Sequence, residues 1–480
     1  MTPAGAWRLT LFLLVFMVLP ARAEQPALGL GEVLNSSLRH APKILEAVEK
    51  RRRAEAKRFA AAGAFDPSFE QNSLFWLNGF YNGSSIDSAL VQPLQNSGGK
   101  LYGGYRSGTG TFPVYQDELA TLTRGELNVG VLFPLLRDRD FDERRFKLQD
   151  GALGIELAET ELLLNQVQVQ HDAMVAYWRW LAAGRRLAIY EHLLKISEDR
   201  DRAFQERFAA GDIAEIDVVE NAQNVLKRRA LVTQARVGFE VAALTLSLYF
   251  RNGEGEPRIP LRAQLPDQFP LIDDHVTDHI DEDIEVALAR QMELSRIDIE
   301  IEQARLQLKL GENLLKPKVD LGAKAARDFG EGSFTREGND IIMELAVSVP
   351  IGRRSARGEI SAARARLNAL EFERQQVRER LSTNINQLSY SLKATAEFAD
   401  LASQEVDQAS LLEQAERTRV LEGASMFFLL NVREENAADA KVRNITAQLA
   451  YFEALADYYA ATVNMTAFGI RTAETPSATQ

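Results

Sequence analysis

The chain has 480 residues, a mass of 53.6 kDa and a formal net charge of −12, from 56 basic and 68 acidic side chains. This acidic balance argues against a sequence-independent nucleic-acid binder, because phosphate binding needs a basic surface. The chain has no cysteine. It therefore has no disulfide, no cysteine-ligated zinc, no iron–sulfur cluster, no thiol chemistry and no lipid on an N-terminal cysteine.

The first 23 residues, 1–23, predict a signal peptide. Arg8 supplies a positive charge, residues 9–19 form an apolar run, and Ala21 and Ala23 make a small-x-small cleavage pattern. The run is shorter than the roughly 20 residues that cross a bilayer. An uncleaved anchor helix is the alternative. No later stretch holds 18 consecutive apolar residues, so any later membrane-spanning part would have to consist of β-strands.

In the rest of the chain, the same series of sequence features occurs twice in the same order. Each half has a helical pattern, a strand that starts at a proline, a strand that ends at a proline, and a long helical pattern that turns at a glycine. The landmarks are Pro67, Pro134 and Gly211 in the first half and Pro317, Pro350 and Gly423 in the second. Such repetition predicts two structural repeats, residues 24–265 and 266–470, followed by a flexible tail at 471–480.

Alternating apolar and polar residues predict the strands of each repeat. Lengths near ten residues match tilted membrane strands, although a soluble antiparallel sheet alternates in the same way. The predicted strands lie at about residues 66–81, 124–134, 317–327 and 340–350.

Residues 82–116 are an additional segment of the first half, rich in glycine and serine. This composition is typical of loops, and we interpret the segment as an extracellular loop or hairpin. It contains two strand-like pieces, at 89–94 and 100–106, so additional barrel strands are the alternative.

Two long stretches, residues 142–208 and 357–421, contain no proline. The first would extend about 100 Å as one helix, and its apolar stripes predict packing against neighbouring helices. Four strands cannot close a barrel, because the smallest closed membrane barrels have about eight. A chain of this kind must therefore assemble with other copies if it spans an outer membrane.

The order and spacing of these features resemble the TolC-like outer membrane efflux protein family over residues 28–468. The resemblance is carried by Phe65-Asp66-Pro67, by the strand ends at 133–136 and 349–352, and by the glycine turns. It implies an α+β membrane protein, with a trimeric outer-membrane β-barrel continued by a long α-helical periplasmic tunnel. Each protomer would supply four of twelve barrel strands and two tandem structural repeats.

The resemblance also implies a function and partners. The chain would be a homotrimer in outer membrane lipid, extending into the periplasm. It would give passive exit to substrates delivered by an inner-membrane transporter through a periplasmic adaptor protein, as in efflux or type I secretion. No reaction, cofactor or nucleic acid would be involved.

The resemblance places a pore gate near the glycine turns. Many members of the family have acids six and nine positions after the second-half glycine, where this chain departs from the pattern with Leu429 and Val432. Acids stand at the corresponding first-half positions, Asp217 and Glu220. Three copies of such a carboxylate would attract cations. A solvated or salt-bridged acid is the alternative reading.

Phe427, Phe428 and Leu429 are candidates for an apolar constriction, with core packing as the alternative. Four further predicted residues lie at the turns, where the resemblance implies contact with the adaptor. They are Gly211, Asp212, Gly423 and Ala424.

Four aromatic residues of the first strand region and the additional segment are candidates for a girdle at the lipid interface. Ordinary strand packing is the alternative. They are Trp76, Tyr81, Tyr102 and Tyr105.

The sequence predicts neither an enzyme nor a metal site. It has no Gly-x-Ser-x-Gly elbow and no phosphate-binding Gly-x4-Gly-Lys motif. His275 and His279 have the i, i+4 spacing of metal ligands, but no third histidine lies near them. Two other hypotheses stay open: a soluble periplasmic coiled-coil adaptor or scaffold, and an exported enzyme.

Overall fold

A computed structural model describes residues 26–273, 276 and 280–470. The predicted signal peptide, the predicted tail at 471–480 and the pair His275 and His279 lie outside the described residues.

Long helices make up most of the described chain. Asp142 caps the longest helix of the first half, because its side chain accepts a hydrogen bond from the Arg145 backbone N–H at 2.9 Å. Pro42 opens another helix at its first position, where a missing N–H costs nothing. The helices are α1 (Leu30–His40), α2 (Pro42–Ala62), α3 (Glu143–Ala209), α4 (Glu215–Ser247), α5 (Ile280–Arg290), α6 (Met292–Leu314), α7 (Arg354–Leu421) and α8 (Phe427–Ala461).

The strands form one antiparallel sheet in sequence order, β1-β2-β3-β4-β5-β6. The boundary between the two predicted repeats falls between β4 and β5, where the register pairs Val131 with Ala323. The strands are β1 (Ser68–Phe75), β2 (Ser84–Pro93), β3 (Lys100–Thr109), β4 (Glu126–Pro134), β5 (Lys318–Asp328) and β6 (Asn339–Ser348).

The prediction of four strands per protomer is wrong, since the sheet has six. The segment 82–116, interpreted as a loop or hairpin, supplies β2 and β3, and these lie between β1 and β4. The first predicted strand is also shorter than expected, because β1 ends at Phe75 and residues 76–83 connect it to β2. Glycine and serine support strands here because neighbouring strands fill both sides of the hydrogen-bond ladder.

The helices form a layer in which the neighbours of α3 and α7 change along their length. Away from the sheet, contacts follow the order α4-α3-α8-α7. Nearer the sheet they follow α2-α3-α6-α7. The long helices α3 and α7, of 67 and 68 residues, run through both regions. Helices at corresponding places in the two halves have similar lengths, such as α4 with 33 residues and α8 with 35.

The main core lies where α1, α3, α4 and α8 meet. Trp178 on α3 stacks on Phe452 of α8 with ring centroids 4.5 Å apart and on Phe269 at 5.9 Å. Trp180 is fully buried and stacks on Phe239 of α4. Aromatic burial of this kind contributes the largest share of packing energy per residue and fixes the helix layer as one unit.

Candidate functional site

The two faces of the sheet differ in chemistry. Side chains alternate between faces along a strand, and paired residues share a face. On one face, β6 places Ile341, Met343, Leu345 and Val347, all exposed, with Met343 at 72%. A run of exposed apolar side chains of this extent exceeds what a water-soluble monomer normally presents.

The apolar face continues across the other strands. The register aligns its residues from β1 through β5 on the same side as Leu345. Apolar members of this face are Phe69, Phe75, Ile86, Leu90, Leu101, Tyr105, Leu127, Val129, Val131, Phe133, Leu321, Ala323 and Ala325, and the polar Gln71, Ser73, Ser88 and Arg327 lie on the same side.

The opposite face is polar and carries an ion-pair cluster. Glu126 on β4 receives Arg106 from β3 at 2.8 Å and Lys324 from β5 at 2.7 Å. Asn128 donates a further hydrogen bond to Glu126 at 3.1 Å. Both Glu126 and Asn128 are buried. Charges that are paired across three strands tie the polar face together.

The four predicted interface aromatics separate into two groups. Trp76 and Tyr81 lie in the β1–β2 connection with ring centroids 6.1 Å apart, and Tyr105 lies on the apolar face, where its hydroxyl donates to the Arg124 carbonyl at 2.8 Å. Tyr102 lies on the polar face opposite Gly130. We therefore keep the first three as girdle candidates and leave Tyr102 out.

The two glycine turns have one geometry. Gly211 and Gly423 have φ of 81° and 71°, the left-handed region that ends a helix at low cost for glycine. In the first turn the Asp212 N–H donates to the Arg207 carbonyl at 2.9 Å, and in the second the Ala424 N–H donates to Arg419 at 2.8 Å. All four predicted adaptor-contact residues, Gly211, Asp212, Gly423 and Ala424, are exposed.

The acidic gate candidates lie just beyond the first turn. Asp217 and Glu220 are three residues apart on the first turns of α4, so they share a side of the helix. Both are half-buried. Among the described residues neither forms an ion pair. Their carboxylates are therefore available to solvent or to another copy of the chain.

The apolar gate candidates begin α8 and point in different directions. Phe427 packs edge-on against Phe204 of α3 at 4.6 Å, with the Arg200 guanidinium 5.9 Å from its ring. Phe428 is 63% exposed and Leu429 is half-buried. Phe427 therefore follows the core-packing alternative, and Phe428 is the candidate with a free ring.

The sequence reading did not identify a buried ionic cluster near these turns. Glu434 of α8 is 2% exposed and pairs with Arg200 of α3, with Arg228 of α4 at 3.2 Å and with Arg417 of α7 at 3.8 Å. A second buried acid, Glu416, accepts from Ser425 in the second turn. No local pattern distinguishes these glutamates from their exposed neighbours.

Among residues 26–273, 276 and 280–470, no group of three metal-ligating side chains comes together. No helix within those same residues has the length and apolarity needed to cross a membrane.

Comparison by sequence finds no matching family model and no matching curated protein. Comparison by structure finds outer membrane channels. The chain is similar to the CmeC outer membrane channel of Campylobacter jejuni, with a TM-score of 0.63, 12% identity, and coverage of 93% of this chain and 87% of that chain.

Two further solved structures agree. The chain is similar to the outer membrane protein VceC of Vibrio cholerae, with a TM-score of 0.61, 15% identity, and coverage of 90% of this chain and 95% of that chain. It is similar to the open state of the MtrE outer membrane channel of Neisseria gonorrhoeae, with a TM-score of 0.62, 15% identity, and coverage of 90% and 88%. The chain therefore has the fold of known outer membrane channels, as its resemblance to the TolC-like family implies.

Proposed function

We propose that the chain is an outer-membrane channel-tunnel that gives passive exit to substrates delivered by an inner-membrane pump and a periplasmic adaptor. One observation carries the proposal. A sheet with one exposed apolar face and one ion-paired polar face leads directly into helices of 67 and 68 residues. Helices of that length extend about 100 Å, which is enough to reach far from a membrane into the periplasm. The channel catalyses no reaction.

The apolar face of the sheet contacts lipid in this proposal. The strands have 8 to 11 residues, close to the length that crosses a bilayer when tilted. Hydrocarbon accepts Leu345 and Met343 but not unpaired charges. The ion pairs of Glu126 with Arg106 and Lys324 lie on the other face, which lines the channel.

Both layers of the molecule end in unsatisfied edges. The strands β1 and β6 each have one neighbour, and open edges are not tolerated in lipid. The outermost helices of the tunnel layer are α4 and α7. In a homotrimer β1 of one copy pairs with β6 of the next, and α4 packs on α7 of the next. The same rotation closes both layers, because the two edges of the sheet and the two edges of the helix layer lie on opposite sides of the protomer.

The exposed surface of α4 supports this assembly. Its buried residues, such as Val232, Phe239 and Leu246, face α3. On the opposite side of the helix runs a stripe spaced by three and four residues, as in packed helix pairs. The stripe consists of Leu226, Ala230, Thr233, Val237, Val241, Leu244 and Leu248, all of them exposed.

The proximal end holds the gate and the adaptor contacts. Asp217 and Glu220 of three copies would form acidic rings that attract cations, and Phe428 would narrow the same passage. The exposed turns at Gly211, with Asp212, and at Gly423, with Ala424, form the end of the tunnel that meets the adaptor. Trp76, Tyr81 and Tyr105 mark the lipid interface at the other end.

Single-channel conductance in planar bilayers tests the proposal. We expect discrete conductance with cation preference from the detergent-purified protein, and reduced preference after Asp217→Asn. Glu215→Gln is the control, because Glu215 lies on the other side of the same helical turn. If Asp217→Asn leaves cation preference unchanged, the acidic ring is refuted and the channel is retained. A monomer that is soluble without detergent and does not conduct would refute the channel and favour the periplasmic scaffold.

A further inference from the structure

We propose that β2 and β3 are membrane-spanning strands of the barrel wall, so that three copies close a barrel of eighteen strands rather than twelve. This inference rests on the proposed channel function. It concerns the segment 82–116, which adds two strands to the sheet of one protomer.

The hydrogen-bond ladders place the β2–β3 hairpin within the wall. Eight residue pairs join β1 to β2, ten join β2 to β3, and seven join β3 to β4. Two strands therefore lie between β1 and β4, which makes three inter-strand steps of about 4.8 Å each. A hairpin that rose above the membrane as a loop would leave β1 and β4 paired with each other. Here removal of β2 and β3 would open the sheet.

The hairpin also spans the full height of the sheet. Its turn, residues 94–99, lies at the end where the helices begin. The Gly98 carbonyl accepts a hydrogen bond from Arg144 on the first turn of α3 at 3.0 Å. Gln92 donates to the Phe65 carbonyl, just before β1, at 2.8 Å. Its other end reaches Thr109, which pairs with Ser84 beside the outer β1–β2 connection.

The apolar residues of the hairpin lie on the same side of the sheet as those of the other strands, together with small polar residues such as Ser88 and Ser107. Leu90 and Leu101 lie on the apolar face and are exposed. Arg106 lies on the polar face and reaches Glu126, which Lys324 of the second repeat also holds. The cluster joins the added hairpin to strands of both repeats through side chains that face the lumen. An extracellular hairpin in water would need neither exposed leucines in line with the apolar face nor this register.

The consequence is a wider outlet. Barrel diameter rises roughly linearly with strand number, so eighteen strands give an outer opening about 1.5 times as wide as twelve. The tunnel keeps its helices, four from each copy. The barrel would then be wide relative to the tunnel, and the acidic and apolar residues at the proximal end would set the narrowest passage.

Spin labels at single cysteines test the inference, since the chain has no cysteine of its own. The probe pair is Leu90→Cys on the apolar face and Ala89→Cys on the polar face of β2. The reference pair is Leu345→Cys and Glu344→Cys on β6, which lies in the wall whether the barrel has twelve strands or eighteen. Each label is read in lipid vesicles by its collision rates with oxygen, which concentrates in lipid, and with a water-soluble nickel complex.

We expect the ratio of the oxygen collision rate to the nickel collision rate to be several-fold higher at position 90 than at position 89. The same difference is expected between positions 345 and 344. A ratio dominated by nickel at both 89 and 90, with alternation retained at 344 and 345, would place the hairpin in water and overturn the inference alone. Nickel dominance at all four positions would remove the sheet from the membrane and overturn the proposed function as well.

Discussion

At the scale of single residues, Glu434 is the buried charge whose removal we expect to lower stability most. Its carboxylate pairs with Arg200 and with the fully buried Arg228. Removing one partner of a buried ion pair costs about 3–5 kcal/mol, because the remaining charge stays desolvated. We expect Glu434→Gln to lower the free energy of unfolding of the helical layer by about 3 kcal/mol, measured by denaturant unfolding with circular dichroism.

The neighbouring Glu435 is the matched control for that variant. It pairs with Lys227 at 2.9 Å, and the lysine is largely exposed. Surface ion pairs contribute about 0–1 kcal/mol, so Glu435→Gln should change stability far less than Glu434→Gln. Equal losses in the two variants would contradict the role assigned to the buried cluster.

His171 makes the stability of the helical layer depend on pH. Its ring nitrogens contact Asp172 at 3.0 Å and Asp457 of α8 at 2.6 Å. Hydrogen bonds to Asp172 and then Asp457 raise the pKa of His171 from 6.5 to about 9, against the opposing effect of burial. A raised folded-state pKa gives stabilisation that is complete below pH 6.5 and is lost as pH rises to about 9.

We therefore expect the unfolding temperature of the wild type to fall between pH 6.5 and 9 by more than that of His171→Gln. Differential scanning calorimetry across that range measures the difference. His192 is the control, since it lies exposed on the same helix and has no carboxylate partner among the described residues. A parallel decline in wild type and His171→Gln would show that the histidine contributes nothing.

The residues that sequence alone identified are those whose role is local. A glycine between two helical patterns predicts a left-handed turn, and both turns are of that kind. Glu434 and Glu435 look alike in sequence, and only the approach of Arg200 and Arg228, more than 200 positions away, buries one of them. Asp217 and Glu220 stay predictions, because a ring needs three copies of the chain.

At the scale of elements, the glycine turns fix how each helical hairpin reverses. Gly423 has φ of 71° and nothing within 4 Å of an added Cβ, so alanine there would be strained but would not clash. We expect Gly423→Ala to cost about 1–2 kcal/mol of turn stability. Faster hydrogen exchange, confined to the end of the α7–α8 hairpin, is the measurement.

For a glycine inside a helix we expect the opposite, namely that substitution by alanine stabilises the element. Gly238 lies within α4 with open space around it and no positive φ. Alanine is favoured over glycine there by about 0.8–1.0 kcal/mol, so Gly238→Ala should slow exchange in α4. If both substitutions accelerate exchange, backbone conformation is not the cause at Gly423.

The strands show where element prediction from sequence ends. Residues 126–133 and 341–349 alternate cleanly, and β4 and β6 lie there. In β3 the alternation is interrupted by Gly103 and Gly104, and glycine weakens an isolated strand. Neighbouring strands pack closely against this point, since a Cβ added at Gly104 would meet the Ser88 carbonyl and the Asn128 side chain. Such compensation involves residues far apart in sequence, so the sequence of the segment 82–116 by itself favours a loop or hairpin.

At the scale of the whole molecule, the sheet and the helix layer both end in edges that lack a neighbour within one copy of the chain. The repeated landmarks predict long helices and a membrane-facing sheet. The need for other copies follows because one chain has too few strands to close a barrel. With six strands the sheet is still below the eight of the smallest closed membrane barrels. The correction from four strands to six therefore changes the size of the proposed barrel and leaves the need for assembly intact.

The stripe on α4 gives the assembly a direct test. Val241 lies next to its central residue, on the side of α4 opposite the residues that face α3. In the proposed trimer this side is buried against α7 of the next copy, where an unpaired carboxylate would be costly to desolvate. We expect Val241→Asp to convert the trimer to monomers in detergent, measured as mass by light scattering.

Arg236→Asp also places a carboxylate on α4, but on the flank of the helix, and it should keep the trimer mass. In the Val241→Asp protein only the pairing of β1 with β6 would be left to hold the copies together. If Val241→Asp remains a trimer with wild-type thermal stability, the α4 stripe is not a subunit interface. Assembly would in that case rest on the pairing of β1 with β6.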